Sequence, residues 1–322
     1  MTDPASGAMP SRVERARLDL SVVIPVFNEA GTLVDLHDRL VRTLGEAGQS
    51  YEIVFVDDGS TDASPEILRT LHAMDPSVRV VRFNRNYGQH AAVFAGMERA
   101  RGDVVITLDA DLQNPPEEIP RLLERVAEGI EVVGGRRMGR RDPWLRRAAS
   151  WVMNRLTSAV VGVRMRDYGC MLRAYRRPVV DRILGCQEIS RFIPALANTF
   201  AASVAEVPVG HAPRRDGPSR YGILRLLRLN FDLLTGFSLL PIQTVSLAGI
   251  LVSALGLGFA IFLGLRRLFV GPEVEGVFTL FAVLFFFAGL QILALGLIGE
   301  YVGRIYQEVR RRPPYVISEV LE

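Results

Sequence analysis

The chain has 322 residues, with 38 Lys and Arg against 35 Asp and Glu, and a mean hydropathy of +0.20. This length suits one substantial domain with an appendage, and two cysteines exclude a disulfide framework or a thiolate metal site. A pI near 9.1 permits nucleic-acid binding, but the arginines flank long apolar stretches, which favours attraction to anionic lipid and no nucleic-acid partner.

The first part of the chain predicts an α/β domain. Residues 1–18 are polar, carry charges of both signs and have no apolar run, which indicates a disordered lead without a secretory signal. Over residues 19–220, short β-rich runs alternate with helical stretches, which predicts right-handed crossovers and a mainly parallel sheet. The predicted strands are 21–27, 52–56, 79–83, 104–108 and 131–134, and the predicted helices between them are 31–44, 65–74, 89–100 and 117–128.

Acidic residues follow two of these strands. Asp109-Ala110-Asp111 comes directly after strand 104–108, and two carboxylates so placed can converge on one hard divalent cation. Such triplets also occur in ordinary acidic turns. The second acidic pair, Asp57-Asp58, ends strand 52–56, where a turn with a helix cap is the alternative to a carboxylate that binds a nucleobase or ribose.

Two more strand ends carry polar residues. Pro25 and Glu29 flank the end of the first strand, and the segment 86–90, Asn-Tyr-Gly-Gln-His, follows the third. Ligands on parallel sheets bind beyond the carboxyl ends of the strands. Four successive strand ends with such residues are hard to explain as turns alone, so we expect a ligand site at this edge.

Two stretches without any charged residue follow, at 233–265 and 276–299. Each exceeds the roughly 20 apolar residues that a helix needs to cross a bilayer, which predicts a transmembrane hairpin with helices at about 239–263 and 277–298. Two buried core helices are the alternative. Arginines are denser at the outer ends of the hairpin than in its connecting loop, and the positive-inside rule therefore predicts a cytoplasmic α/β domain.

Amphipathic stretches at 221–232 and 300–311 bracket the hairpin. Their position beside the apolar stretches favours helices that lie in the membrane interface, and packing on the α/β domain is the alternative. Residues 313–322 are predicted to be a C-terminal tail.

These motifs resemble those of the inverting glycosyltransferases of family 2, which have the nucleotide-binding GT-A fold, and within that family the polyprenyl-phosphate glycosyltransferases, to which the dolichyl-phosphate mannose synthase-like enzymes are related. The resemblance extends over residues 20–312. It rests on the motifs at residues 84–90, 107–120, 167–175, 192–198 and 299–301.

The resemblance implies a UDP-sugar donor, an undecaprenyl (polyprenyl) phosphate acceptor, Mg²⁺ or Mn²⁺ as the metal, a multi-pass location in the bacterial cytoplasmic membrane and a homotetramer. The narrower variants Tyr-Gly-Gln-His and Asp-Tyr-Gly-Cys imply 4-deoxy-4-formamido-L-arabinose as the sugar, for lipid A modification and polymyxin resistance. A hexose donor such as UDP-glucose is the alternative.

The resemblance also implies roles for individual residues. The donor-binding residues would be Pro25, Glu29, Asp57, Asp58, Asp109 and Gln113, the metal ligands Asp109 and Asp111, the catalytic residues Asp111 and Asp167, and the acceptor-phosphate ligands Arg136, Arg146, Ser150 and Arg220. A phosphate monoester has a second pKa of about 6 and is mostly dianionic near pH 7. The acceptor oxygen can therefore attack without losing a proton, and we expect Asp167 to orient a substrate more than to act as a base.

Other classes fit the sequence less well. A processive polysaccharide synthase would have a Gln-x-x-Arg-Trp motif, which is absent. A transporter would not need carboxylates at strand ends, and the apolar stretches hold no charge that would mark a pathway. A dinucleotide-dependent oxidoreductase would have Gly-x-Gly-x-x-Gly after a strand, and there is none.

Overall fold

The computed structural model describes residues 18–138, 163, 165–186, 192–212, 240–270, 277–309 and 313–322. These residues divide into two compact units. One unit is an α/β domain that includes residues 313–322, and the other contains two long apolar helices. Residues 1–17 of the predicted lead 1–18 and the amphipathic stretch at 221–232 lie outside the described residues, and Leu18 begins the first strand.

The α/β unit follows the predicted alternation of strands and helices and then continues with shorter elements. Its elements are β1 (Leu18–Val26), α1 (Leu33–Glu46), β2 (Tyr51–Asp57), α2 (Ser64–Met74), β3 (Val78–Phe83), α3 (Gln89–Arg99), β4 (Gly102–Thr107), a 3₁₀ turn (Pro116–Glu118), α4 (Ile119–Ala127), β5 (Val132–Arg137), β6 (Arg173–Arg176), α5 (Arg177–Gly185), α6 (Ile193–Phe200), β7 (Val204–Val209) and β8 (Ile317–Leu321).

The eight strands form one mixed sheet in the order β7-β5-β6-β4-β1-β2-β3-β8. Its centre is parallel, as predicted, because β1 pairs with β2 and β4, and β2 pairs with β3. Two strands that the sequence analysis did not predict, β6 and β8, run antiparallel to their neighbours. The sheet is therefore less uniformly parallel than the alternation of elements indicated.

The central strands are buried on both faces, which explains why they are nearly continuous apolar runs. On one face, Leu20, Val22 and Ile24 of β1 belong to a core cluster with the apolar side of α1. On the other face, α3 packs against β1 and β2. Full burial of each such aliphatic side chain contributes about 1.5–3 kcal/mol, so this double layer fixes where the strand ends lie.

The last strand, β8, covers the edge of the sheet. It pairs antiparallel with β3, from Val80 opposite Leu321 to Phe83 opposite Ile317, with an irregularity between Arg82 and Phe83. The segment predicted as a tail thus contains a strand of the α/β sheet. An antiparallel partner places the start of β8 at the carboxyl end of β3.

The second unit consists of α7 (Leu240–Val270) and α8 (Val277–Val309). The described parts of both predicted apolar stretches are helical, and both helices are longer than predicted. Among the described residues, one helix is long and apolar enough to cross a membrane, through Phe286–Gly303 of α8. The apolar stretch found in α7, Ile242–Val252, is shorter. The amphipathic segment predicted from residue 300 continues α8 up to Val309.

Candidate active site

The loops after β1 and β2 bind each other. The backbone amide of Asn28 donates to Ser60 Oγ at 3.0 Å, and the backbone amide of Thr61 donates to Asn28 Oδ1 at 2.8 Å. Asn28 has a φ of +57°, a left-handed conformation in which asparagine is several-fold enriched among non-glycine residues. Ser60 and Thr61 therefore join two loops of the site edge.

Asp57 and Asp58 are both buried but differ in what their oxygens contact. Asp57 Oδ1 accepts the Ser60 amide at 2.9 Å, whereas Oδ2 is buried without a hydrogen bond, although Arg82 Nε lies 3.2 Å away. Asp58 accepts the amides of Tyr87 and Gly88 at 2.6 and 2.8 Å. Burial raises the pKa of Asp58 above its ordinary value, and the two backbone bonds oppose this rise.

The segment 84–89 after β3 packs directly on the loop after β2. A Cβ added at Gly59 would lie 2.4 Å from the Arg85 carbonyl carbon, so only glycine allows this approach. At the end of the segment, Gln89 Nε2 donates to Asp109 Oδ1 at 2.5 Å. The segment thereby contacts both acidic pairs, Asp58 through its backbone and Asp109 through a side chain.

The Asp109-Ala110-Asp111 turn exposes its carboxylates and buries its apolar residues. Asp109 and Asp111 are partly exposed, whereas Ala110 and Leu112 are buried. Leu112 has a φ of +60°, which is unusual for leucine and indicates a constrained turn. Thr32 Oγ1 at the start of α1 donates to the Ala110 carbonyl at 2.7 Å and thereby anchors the backbone of the turn.

This donor set fits a hard divalent cation that is completed by a substrate. Among the described residues there is no group of three or more His, Cys, Asp or Glu able to hold a metal ion. Asp109 and Asp111 are the two carboxylates here that could hold such an ion, and phosphate and water oxygens would then be its remaining ligands. Mg²⁺ is commonly bound in this way, by one or two carboxylates and substrate phosphates.

Asp167 is buried and bound by Arg137 at the end of β5. Arg137 Nε donates to Oδ2 at 2.8 Å, and Nη2 donates to Oδ1 at 2.7 Å, so the ion pair is bidentate. Burial acts to lower the pKa of Arg137, but the bonds to Asp167 and the negative charges of Asp167 and Asp109 raise it above the ordinary value. Arg137 therefore stays charged beside two carboxylates of the site.

The backbone of the segment that carries Asp167 is bound by Arg173, which is fully buried. Arg173 Nε donates to the Cys170 carbonyl at 2.9 Å, and Nη2 donates to the Asp167 carbonyl at 3.1 Å. On the other side, Glu206 of β7 accepts the Asp167 amide at 3.0 Å. Cys170 is packed in the same place, and burial together with the charge of Asp167 raises the pKa of its thiol to about 11, so it is no nucleophile near neutral pH.

The structure brings most of the predicted donor residues to one edge. Pro25 and Glu29 are partly exposed at and just beyond the end of β1, and Gln113 follows the Asp109-Ala110-Asp111 turn, where its backbone amide donates to Asp111 Oδ1 at 3.1 Å. Arg136 is the partly exposed neighbour of Arg137. The predicted acceptor ligands Arg146, Ser150 and Arg220 lie outside the described residues.

Arg137, Gln89 and Arg173 were not selected from the sequence as site residues. Arg137 could have been predicted from strand alternation, because side chains two residues apart in a strand point to the same face. Gly135, two residues earlier, faces Cys170, since a Cβ on Gly135 would lie 3.1 Å from the Cys170 Sγ. Gln89 and Arg173 lie in segments 86–90 and 167–175, which the sequence analysis had selected, but no pattern indicated their partners: Gln89 binds Asp109, and Arg173 binds the carbonyls of Cys170 and Asp167.

Comparisons with known proteins give a consistent result. A sequence model described as Glycosyl transferase family 2 matches residues 21–184. The chain is 53% identical to an undecaprenyl-phosphate 4-deoxy-4-formamido-L-arabinose transferase of Edwardsiella ictaluri and 50% identical to one of Aeromonas hydrophila, each over 94% of both chains. A solved structure described as that of a mycobacterial protein is similar in fold, with a TM-score of 0.50, 22% identity, and coverage of 68% of this chain and 73% of that one.

Proposed function

The chain belongs to glycosyl transferase family 2, and on that premise we propose that it transfers 4-deoxy-4-formamido-L-arabinose from UDP to undecaprenyl phosphate. The relatives that carry this activity in their names match nearly the whole chain at about half identity. They do not favour the alternative hexose donor. The biological role that goes with this proposal is lipid A modification and resistance to polymyxin.

One observation about the site supports a nucleotide donor most directly. Asp57 is fully buried, yet its Oδ2 accepts no hydrogen bond. Arg82 Nε lies 3.2 Å from this oxygen and supplies positive charge without a hydrogen bond, so a donor on a nucleobase or ribose would complete its partners. The partly exposed carboxylates of Asp109 and Asp111 lie at the same edge, so the diphosphate of the nucleotide would extend toward them.

Asp109 and Asp111 would hold the divalent cation, Mg²⁺ or Mn²⁺. When bound, that ion supplies Lewis-acid stabilisation of the charge on the departing UDP. In the transfer, an oxygen of the acceptor phosphate forms a bond to the anomeric carbon while the bond from that carbon to UDP breaks, with inversion. No proton has to leave the acceptor, because its phosphate is already mostly dianionic near pH 7.

Asp167 and Arg137 would orient the reacting groups. Both oxygens of Asp167 are engaged by Arg137, and this geometry suits a fixed carboxylate better than one that takes a proton. The acceptor phosphate would be bound by Arg136, Arg146, Ser150 and Arg220, and arginine is suited to bidentate phosphate contacts.

The membrane arrangement is also part of the proposal. We infer a hairpin of α7 and α8 in the bacterial cytoplasmic membrane, with an interfacial helix at 221–232 before it and a cytoplasmic α/β domain. The apolar composition of α8 and the arginines at the outer ends of the hairpin support it. A homotetramer is proposed from the family resemblance.

The decisive experiment uses the full chain in nanodiscs with undecaprenyl phosphate and Mn²⁺. UDP release and the lipid product are measured with the formamido-arabinose donor, UDP-glucose and UDP-N-acetylglucosamine. We expect turnover with the first donor, at a kcat/KM at least tenfold above the others, and loss of turnover with EDTA. No release from any donor would refute the enzymatic proposal, and faster turnover of UDP-glucose would refute the sugar.

The role of Asp167 is tested by Asp167→Asn and a pH–rate profile. We expect the variant to be slow, with weaker affinity for a substrate, and to keep the pH dependence of the unmodified enzyme, because no proton transfer is removed. Normal affinity for both substrates, together with loss of a carboxylate titration from the profile, would show that Asp167 is the base after all.

A further inference from the structure

The segment 315–322 after α8 reaches the candidate donor site. Because β8 is antiparallel to β3, its first residues lie where β3 ends and the segment 84–89 begins. The Asn84 amide donates to the Val316 carbonyl at 3.1 Å, which continues the pairing one residue beyond the strand. No role in the proposed reaction has so far been given to this C-terminal segment.

Tyr315 contacts both elements that the segment 84–89 connects. Its ring stacks on Phe83, the last residue of β3, with ring centroids 4.8 Å apart and an interplanar angle of 13°. Its hydroxyl donates to a carboxylate oxygen of Glu98 in α3. One side chain thus ties the end of β3 to the helix that follows the segment.

The contacts continue from Phe83 into the site. Phe83 packs edge-to-face on Tyr87, with centroids 5.7 Å apart, and Arg85 lies 4.9 Å from the Tyr87 ring centroid. The Tyr87 and Gly88 amides then bind Asp58, and Gln89 binds Asp109. Gly88 has a φ of +97°, so the backbone of the segment turns sharply between these contacts.

We propose that Tyr315 is a positioning residue of the donor site, which acts through Phe83 and Tyr87 to fix the segment that binds Asp58 and Asp109. The inference rests on the proposed function in that the ligand of the site is a nucleoside diphosphate with a divalent cation. Loss of the Tyr315 ring leaves the segment free to shift, and the carboxylate of Asp109 loses its fixed direction. The predicted consequence is weaker donor and metal binding, with the bound complex reacting at nearly the normal rate.

The test compares Tyr315→Ala, Tyr315→Phe and a matched control, Val320→Ala, in the full chain. Val320 lies in β8 opposite Val81, away from the site end of the strand, and is about a third exposed, at 36%. Binding of UDP in the presence of Mn²⁺ is measured by isothermal titration calorimetry. Donor KM and kcat are measured on the same proteins. Melting temperatures record how far each change destabilises the fold.

We expect Tyr315→Ala to weaken UDP binding and raise donor KM by about three- to tenfold, the scale of one lost aromatic pair, with kcat changed less than about twofold. Tyr315→Phe keeps the stack and should restore both values to within about twofold, and Val320→Ala should match the unmodified protein. Unchanged UDP affinity in Tyr315→Ala, failure of Tyr315→Phe to restore it, or an equal loss in Val320→Ala would overturn the inference. If the unmodified protein binds UDP but turns over no UDP-sugar, the proposed function is refuted, whereas the inference about Tyr315 is not.

Discussion

The amino and carboxyl ends of the central strands bury charge in opposite ways. At the amino ends, Glu52 and Arg79 are almost fully buried and bind each other at 3.1 Å. At the carboxyl ends, Asp57 is equally buried, but its Oδ2 accepts no hydrogen bond, and the nearby Asp109 and Asp111 are partly exposed. The first edge pairs its carboxylate with guanidinium groups of the protein, although Arg79 Nε is buried without a hydrogen bond, whereas the second edge has carboxylates that are partly exposed to a ligand.

The amino edge is a network of internal charge pairs. Glu52 also accepts the Ser21 hydroxyl at 2.6 Å and Arg101 Nε at 3.0 Å, and Glu322 pairs with Arg79 from the end of the chain. Buried charge with internal partners stabilises a fold only as long as every partner remains. The contrast between the edges therefore predicts that substitutions at one edge change stability and those at the other change activity.

The largest effect is expected for Asp111→Asn. The variant removes one negative charge from the turn that we propose holds the metal, and we expect kcat to fall about 10³-fold, the scale of losing a main electrostatic stabiliser. The melting temperature should change little, because the carboxamide oxygen can still accept the Gln113 amide. Asp103→Asn, at the exposed amino end of β4, is the matched control. Activity near normal in Asp111→Asn would remove the distinction between the edges.

The next largest effect is expected for Arg79→Met, which leaves Glu52 buried with fewer partners. We expect a loss of about 3 kcal/mol in the free energy of unfolding and a melting temperature about 10 °C lower. Donor KM of the folded protein should be unchanged. Arg99→Met, which removes only the 3.1 Å pair with Glu322 from a partly exposed side chain, should cost far less. A raised donor KM in Arg79→Met would show that the edges are coupled.

The free energy of unfolding should also depend on pH, because of His90 in the first turn of α3 at the carboxyl edge. Burial lowers the pKa of His90 from its ordinary 6.5 to about 4, and its Nδ1 is buried without a hydrogen bond. Below pH 6.5 the unfolded chain binds a proton that the folded chain does not, so stability should fall as the pH drops from 6.5 to 4, by about 2 kcal/mol. His90→Asn should flatten this part of the curve of melting temperature against pH. An identical slope in both proteins would contradict the prediction.

The smallest effect is expected for an exposed ion pair between β8 and α2. Glu319 of β8 binds Arg69 of α2 at 2.8 and 3.1 Å, and both side chains are about a third exposed or more. Glu319→Gln should lower the melting temperature far less than Arg79→Met does, and added salt should reduce the difference further, because salt screens exposed charges. A loss of stability as large as that of Arg79→Met would mean that burial does not explain the difference between the buried ion pair and the exposed one.

The parallel centre of the fold could be predicted because its signals are local. The apolar runs of β1 to β5 and the helical periodicity of α1 to α4 lie within a few residues of the observed elements. The shorter strands β6 and β8 escaped prediction because their stabilising partners are distant, as in Thr107 opposite Arg173 and Val81 opposite Val320. No periodicity in a run of four or five residues carries that information.

The site was predictable to a similar extent. Asp109 and Asp111 could be identified because alternation with buried Ala110 and Leu112 turns both carboxylates outward. The sequence also indicated that Asp167 would orient a substrate, but not that Arg137 would hold it. Bidentate pairing depends on the relative placement of β5 and the segment before β6, which only the folded sheet determines.

The position of β8 also has a consequence for biosynthesis. In chain order, β8 comes after both apolar helices, yet it covers the edge of β3 in the α/β sheet. During translation, β3 therefore remains an open edge strand until α7 and α8 have left the ribosome. Completion of the sheet, and with it the stacking of Tyr315 on Phe83, waits for synthesis of the apolar helices. A nascent chain stalled within those helices would present an unpaired edge, which chaperones and proteases can recognise.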